Sequence, residues 1–175
     1  MEDYFKKLIR NVPDFPKKGI MFRDITTLLK DPQGLKKCAN ALYDAAKDQK
    51  IDKVVGIDSR GFIFGGTLAY MLNTGFVLVR KPGKLPSGTL RQSYTLEYGE
   101  DTLEIHKDSI NPGERILLHD DLLATGGTAR AACDLIEKAG GKIVQVSFIV
   151  ELAFLHGRDK FRDYTVNSLV SYDGE

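Results

Sequence analysis

The sequence predicts an α/β domain: a central, mostly parallel β-sheet flanked by helices, with a small N-terminal hood and a flexible hairpin loop. Three observations lead there. Short apolar runs alternate along the chain with stretches whose apolar residues recur at helical spacing, which implies right-handed crossovers between parallel strands. The 175 residues suit one domain, spanning 1–175, with a core large enough to need no disulfides. No internal repeat or low-complexity stretch interrupts the alternation.

The elements follow in order. Phe5, Leu8, Ile9 and Val12 recur at helical spacing and predict a short amphipathic helix. Pro13, Pro16 and Gly19 then impose irregular chain, and residues 20–27 read as extended. Residues 1–30 are too few to bury a core and are read as a hood on the remainder, 31–175. Asp31 and Pro32 open a helix, a capping carboxylate followed by proline at the first helical position; Leu35, Ala39, Leu42 and Ala46 mark its buried face. KVVGID (53–58) is an apolar strand, followed by Ser59, Arg60 and Gly61 and an apolar helix over about 62–72. A second strand, 76–79, runs into a basic loop, 80–84. Over 85–106 polar and aromatic residues alternate as in a long hairpin, and excursions of that length often act as lids. A strand at 116–119, a helix over 128–139, a strand at 143–150, a short helix and a last strand near 166–170 complete the core.

Composition narrows the function classes. A formal net charge of +1 lacks the basic excess of a nucleic-acid-binding surface, so no nucleic acid partner is expected. The N-terminal helix lacks the apolar core of a signal peptide, and no run nears the ~18 apolar residues of a membrane span. A cytoplasmic location without a membrane partner is therefore expected. Cys38 and Cys133 read as small buried hydrophobes, and the three histidines show no metal-ligand spacing.

The most informative run is ILLHDDLLATGGTA, residues 116–129. A buried strand ends in two carboxylates, Asp120 and Asp121, and Thr125, Gly126, Gly127 and Thr128 then open a helix. Paired glycines let successive N–H groups point at one spot, and the helix N-terminus adds partial positive charge. The result is a socket for a phosphate dianion that uses no lysine. Neither GxxxxGK[ST] nor GxGxxG occurs. Ligands bind at the carboxyl ends of strands in such sheets, which singles out the loops at 58–61, 80–84 and 120–128.

The run IxxxDDLLATGGT resembles the phosphoribosyl pyrophosphate (PRPP) motif of type I phosphoribosyltransferases, in the form typical of adenine phosphoribosyltransferases. The likeness extends over almost the whole chain through PDFPKKGIMFRDIT, GIDSRGFIFG, VRKPGKLP, YTLEYGEDTLEIHKD and VELAFLHGRDK, in the family's order. It implies transfer of the phosphoribosyl group from PRPP to adenine, giving AMP and pyrophosphate, a purine salvage reaction. By resemblance, Ala124, Thr125, Gly126, Gly127 and Thr128 bind the 5'-phosphate, and Asp120 and Asp121 hold the ribose hydroxyls beside the developing cation. Ser59, Arg60, Arg80, Lys81 and Lys84 serve the pyrophosphate. Glu97, in the catalytic hairpin loop, manages the proton at adenine N7, with Tyr98 beside it on the PRPP. Phe22 stacks the purine, Met21 and Arg23 read its edge through backbone groups, and Leu152 closes the other side. The resemblance also implies Mg2+ carried by PRPP near Asp120 and Asp121, with no direct protein ligands, and a homodimer in which the arginine of the basic loop reaches the neighbouring site. Three departures stand out: His119, where an aliphatic residue is common, sets a titratable neighbour beside Asp120; Gly66 and Gly88-Thr89 also vary. The alternatives are another purine phosphoribosyltransferase and a PRPP-binding regulator without catalysis.

Overall fold

The protein is described here by a computed structural model over residues 1–95 and 99–174. The chain runs α1 (Glu2–Leu8), β1 (Arg10–Val12), β2 (Phe22–Asp24), α2 (Thr26–Lys30), α3 (Pro32–Asp44), β3 (Lys53–Ile57), α4 (Gly61–Met71), β4 (Gly75–Val79), β5 (Thr89–Thr95), β6 (Glu100–His106), β7 (Arg115–Leu123), α5 (Gly127–Lys138), β8 (Lys142–Leu152) and β9 (Val166–Tyr172). Two short 3-10 turns, Ala153–Leu155 and Gly157–Phe161, join β8 to β9.

Five strands form one sheet in the order β4-β3-β7-β8-β9, every neighbouring pair parallel. Alternation along each strand divides the core between its faces. Val55, Ile57, Leu118 and Phe148 pack under α5 and the β5–β6 hairpin. Val54, Leu117 and Ile149 pack under α3 and α4, together with Phe5 and Ile9 from the N-terminal segment. The hood thus shares a core with the sheet. Asp31 caps α3 by accepting from Gly34 N at 2.6 Å, with Pro32 at the first helical position.

Three boundaries differ from the sequence reading. The first helix stops at Leu8, and Arg10–Val12 pairs antiparallel with Phe22–Asp24 in a two-stranded sheet. The turn of helix α2, Thr26–Lys30, is too short to announce itself by periodicity. The largest correction concerns β7, which does not end at His119 but continues to Leu123, so Asp120 and Asp121 lie within the strand. Pairing partners explain this. The β3 ladder stops at Gly56↔His119, whereas the β8 ladder continues to Leu123↔Glu151. Beyond His119 the strand is open on its β3 side, and that opening is the floor of a cavity. The hairpin forms its own sheet, Thr89↔His106 to Thr95↔Glu100, tied to the end of β4 by the Arg80↔Glu104 bridge.

Candidate active site

A cavity of about 350 Å³ opens where β7 outruns β3. Asp58, Ser59 and Arg60 line it from the loop after β3, Asp120 and Asp121 from β7, and Ala124, Thr125, Gly126, Gly127 and Thr128 from the loop into α5. Gly126 has φ +79, the left-handed conformation that turns the chain into the helix. Among the described residues no side chain caps α5, so its first N–H groups remain available to an anion.

The two carboxylates have different surroundings. Asp121 is 6% exposed and pairs with Arg60, Nε to Oδ2 at 2.8 Å. Asp120 Oδ1 accepts from Asp121 N at 2.9 Å. Burial, followed by the neighbouring charge of Asp121, pushes the Asp120 carboxyl well above the usual range. Burial also raises Asp121, and the Arg60 guanidinium opposes the shift. The approach is close: a Cβ at Gly61 would lie 2.9 Å from Asp120 Oδ1, so only glycine lets the turn after Arg60 sit against β7. His119 does not act on Asp120 as a titrating neighbour. It points to the opposite face of the strand, fully buried, with Nδ1 3.4 Å from Ser147 Oγ, and burial lowers its pKa to about 3.

The basic loop stands beside this cavity rather than in its lining. Arg80 Nε donates to Asp58 Oδ2 at 2.9 Å, which joins the loop after β4 to the loop after β3. Lys81 pairs with Asp101 and lies 3.3 Å from the Tyr94 hydroxyl. Tyr94 in turn accepts from Thr128 Oγ1 at 3.4 Å. Glu104, 1% exposed, accepts from Gly83 N at 3.1 Å and pairs with Arg91 at 2.5 Å. Lys84 donates its backbone N–H to Lys81 O at 3.3 Å and closes the turn.

A second, apolar cavity of about 360 Å³ is lined by Val12, Phe15, Phe22, Asp24, Thr26 and Arg60. Phe15 and Phe22 meet edge-on at 5.1 Å, and the Arg60 guanidinium lies 5.4 Å from the Phe22 ring centre. Arg60 therefore lines both cavities. The side chains of three residues expected around the purine, two of them through their backbone groups, take other surroundings. Met21 lines a different cavity with Pro13, Asp14, Gly19 and Ile20. The Arg23 side chain, 9% exposed, turns away onto the Tyr172 ring at 4.0 Å and donates to Asn11 Oδ1 at 2.6 Å; its backbone sits in the β1–β2 ladder. Leu152, at the end of β8, packs against the core cluster under α3 and α4 and is not among the described residues lining the apolar cavity. Glu97 and Tyr98 lie outside the described residues.

Sequence reasoning missed Phe15 and the Tyr94–Asp101 pair, and it placed Asp58 in a ligand-binding loop without its partner Arg80. The hairpin alternation carried a signal for the hairpin pair, since it places Tyr94 opposite Asp101. Phe15 sits in the irregular stretch between two prolines, where no period marks a side chain's direction.

Comparison with known proteins agrees with this architecture. The family model for the phosphoribosyl transferase domain matches residues 24–172. The adenine phosphoribosyltransferase of Acidobacterium capsulatum is 59% identical over 167 residues, 95% of this chain and 92% of the relative. That of Koribacter versatilis is 53% identical over 171 residues, 98% and 94% of the two chains. Among solved structures, adenine phosphoribosyltransferase from Thermoanaerobacter pseudethanolicus superposes with a TM-score of 0.95 at 48% identity, covering 98% of this chain and 100% of that one. The Saccharomyces cerevisiae enzyme, solved with adenine and an imino-altritol bisphosphate, gives 0.90 at 40% identity over 96% and 97%. By sequence and by fold, the chain belongs to the phosphoribosyl transferase family, among the adenine phosphoribosyltransferases.

Proposed function

We propose that the two adjoining cavities serve one reaction, in which N9 of adenine displaces pyrophosphate from the anomeric carbon of PRPP, with inversion, to give AMP in purine salvage. The observation that carries this reading is the shared wall. A cavity suited to anions and an apolar cavity meet at Arg60, the arrangement needed to bring a purine against a ribose phosphate.

The N–H groups of residues 125–128 and the Thr125 and Thr128 hydroxyls receive the 5'-phosphate. Asp120 and Asp121 accept from the ribose hydroxyls and set negative charge beside the oxocarbenium-like transition state. Arg60 and Ser59, with Arg80, Lys81 and Lys84 swinging from the basic loop, take the pyrophosphate. Adenine lies against Phe22, with Phe15 at its edge. Glu97 manages the proton at N7, a role carried by family resemblance, with Tyr98 beside it.

Mg2+ fits these residues as an ion that arrives with PRPP. Asp120 and Asp121 supply hard oxygen donors, and no cluster of three or more His, Cys, Asp or Glu among the described residues could hold a metal by itself. When bound, it neutralises charge on the leaving pyrophosphate. A homodimer is supported by apolar side chains left exposed on α4 and β4: Ile63, Tyr70 and Leu78. The buried, unbridged Cys38 and Cys133 support a cytoplasmic setting.

The deciding experiment offers PRPP and Mg2+ with adenine, hypoxanthine, guanine or orotate separately and follows pyrophosphate release. AMP formed from adenine alone, abolished by Asp120→Asn and much reduced by Glu97→Ala, is the expected result. Turnover of another base would keep the phosphate site and discard the adenine assignment at Phe22. PRPP binding without turnover would make the chain a PRPP-binding regulator.

A further inference from the structure

The segment VELAFLHGRDK resembles the family at sequence level, yet beyond Leu152 the reaction scheme gives it no task. It leaves β8, passes through His156 at φ 53, and enters the 3-10 turn Gly157–Phe161. That turn lies directly behind the phosphate loop. A Cβ built on Gly157 would stand 2.1 Å from Ala124 O, 3.0 Å from Gly126 N and 3.0 Å from Thr125 C. A Cβ on Gly126 would stand 2.7 Å from Gly157 O. The contact is main chain against main chain, and backbone atoms cannot rotate out of the way as a side-chain tip can.

The turn is anchored to the sheet. Arg158 donates to Glu151 Oε1 at 2.8 Å and to Val166 O at 3.1 Å, which fastens the turn to β8 and β9. Glu151 is itself buried. Phe161, 1% exposed, packs edge-on against Phe148 with ring centres 6.3 Å apart, and its ring edge comes within 3.1 Å of the Cβ position at Gly126. An atom added at Gly157 therefore presses on the main chain of residues 124–126.

We propose that Gly157 is a positioning residue for the 5'-phosphate: its main chain is the rear wall that sets the curvature of the phosphate loop. The proposal rests on the reading of residues 124–128 as the 5'-phosphate socket. Main-chain N–H donors recognise an anion only at the spacing the loop imposes. A displacement of about 1 Å in such a site lowers affinity or rate by up to ~10²-fold. The basic loop, 80–84, makes its ion pairs with Asp58 and Asp101 and reaches the phosphate loop through Tyr94, at Thr128 and not at residues 124–126, so a change at Gly157 acts first on the 5'-phosphate subsite.

Binding of AMP, adenine and magnesium pyrophosphate to the full chain is measured separately by titration calorimetry for the parent, Gly157→Ala, Glu151→Gln and Thr128→Val. Gly157→Ala is expected to weaken AMP by ~10-fold to 10²-fold while adenine and pyrophosphate bind as before. Glu151→Gln, which loosens the wall through Arg158, gives a smaller loss in the same ligand order and decides the matter if Gly157→Ala does not fold. Parent-like AMP binding in Gly157→Ala, or equal weakening of all three ligands, overturns the proposal. Thr128→Val separates the two levels. If it weakens AMP and Gly157→Ala does not, only the role of Gly157 falls. If neither variant weakens AMP, the phosphate-socket reading falls and takes this proposal with it.

Discussion

Two loops at the same end of the sheet are suited to anions, and they are built from opposite materials. The loop over residues 124–128 offers main-chain N–H groups, glycine geometry and hydroxyls, with no cation of its own. The loop over residues 80–84 carries three cations, two of them paired with acids: Arg80 with Asp58, and Lys81 with Asp101. A group that stays bound through the reaction is best met by a rigid cradle, where the donors lose no side-chain entropy on binding. A group that must leave is better met by charges on long side chains, which can be handed back to resident carboxylates when it departs. The two loops thus divide permanence from exchange.

The sharpest way to break that comparison is to spoil the cradle. Gly126→Val puts a β-branched residue at φ +79 and drives its Cβ toward Gly157 O, 2.7 Å away. It is expected to lower kcat/KM for PRPP by at least about 10²-fold, with a dependence on salt no steeper than the parent's. Steady-state kinetics at two ionic strengths checks this.

The basic loop should respond more mildly and in a different currency. Lys81→Ala removes a partly exposed cation, and pairs of that kind contribute about 1 kcal/mol or less to stability. We expect an unchanged melting temperature, a KM for PRPP raised about tenfold and a weaker dependence of that KM on salt. An equal salt response in the Gly126 and Lys81 variants would erase the distinction between the loops.

The smallest effect concerns the strand that carries both carboxylates. His119 is neutral in the folded chain, since burial lowers its pKa to about 3, whereas an unfolded histidine titrates near 6.5. The unfolded state therefore binds more protons between those values. Stability is fully present above about pH 6.5 and is lost as pH falls, by roughly 1 kcal/mol per pH unit. The raised Asp120 and Asp121 act in the opposite sense, gaining stability as pH falls through their window. Replacing His119 with leucine should flatten the acid limb of a denaturation curve between pH 6.5 and 5 and leave adenine turnover unchanged. A limb as steep as the parent's would show that His119 is not the group that titrates.

The fold was legible where the information is local. The run from Ile116 to Thr128 reads directly as strand, turn and helix, because apolar density, paired glycines and a helical period follow one another without a gap. The reach of β7 to Leu123 was not legible, since it depends on β8 continuing beside it after β3 stops. The apolar cavity was harder still. Phe22 stood in an extended stretch, but Val12, Phe15 and Thr26 reach the same space only after the N-terminal strands pair and pack on the sheet. Arg23, the next residue in the strand after Phe22, went to other surroundings because adjacent strand residues face opposite ways, and Met21 precedes the strand.

Arg60 pairs with Asp121 on one side and lies over Phe22 on the other. A single guanidinium is thus a party wall, and whatever orders it from one side has already ordered it for the other. Thermodynamic linkage then requires symmetry: if PRPP sharpens the affinity for adenine, adenine sharpens the affinity for PRPP by the same factor. Two substrates that never share a contact residue other than this one would still report each other's arrival.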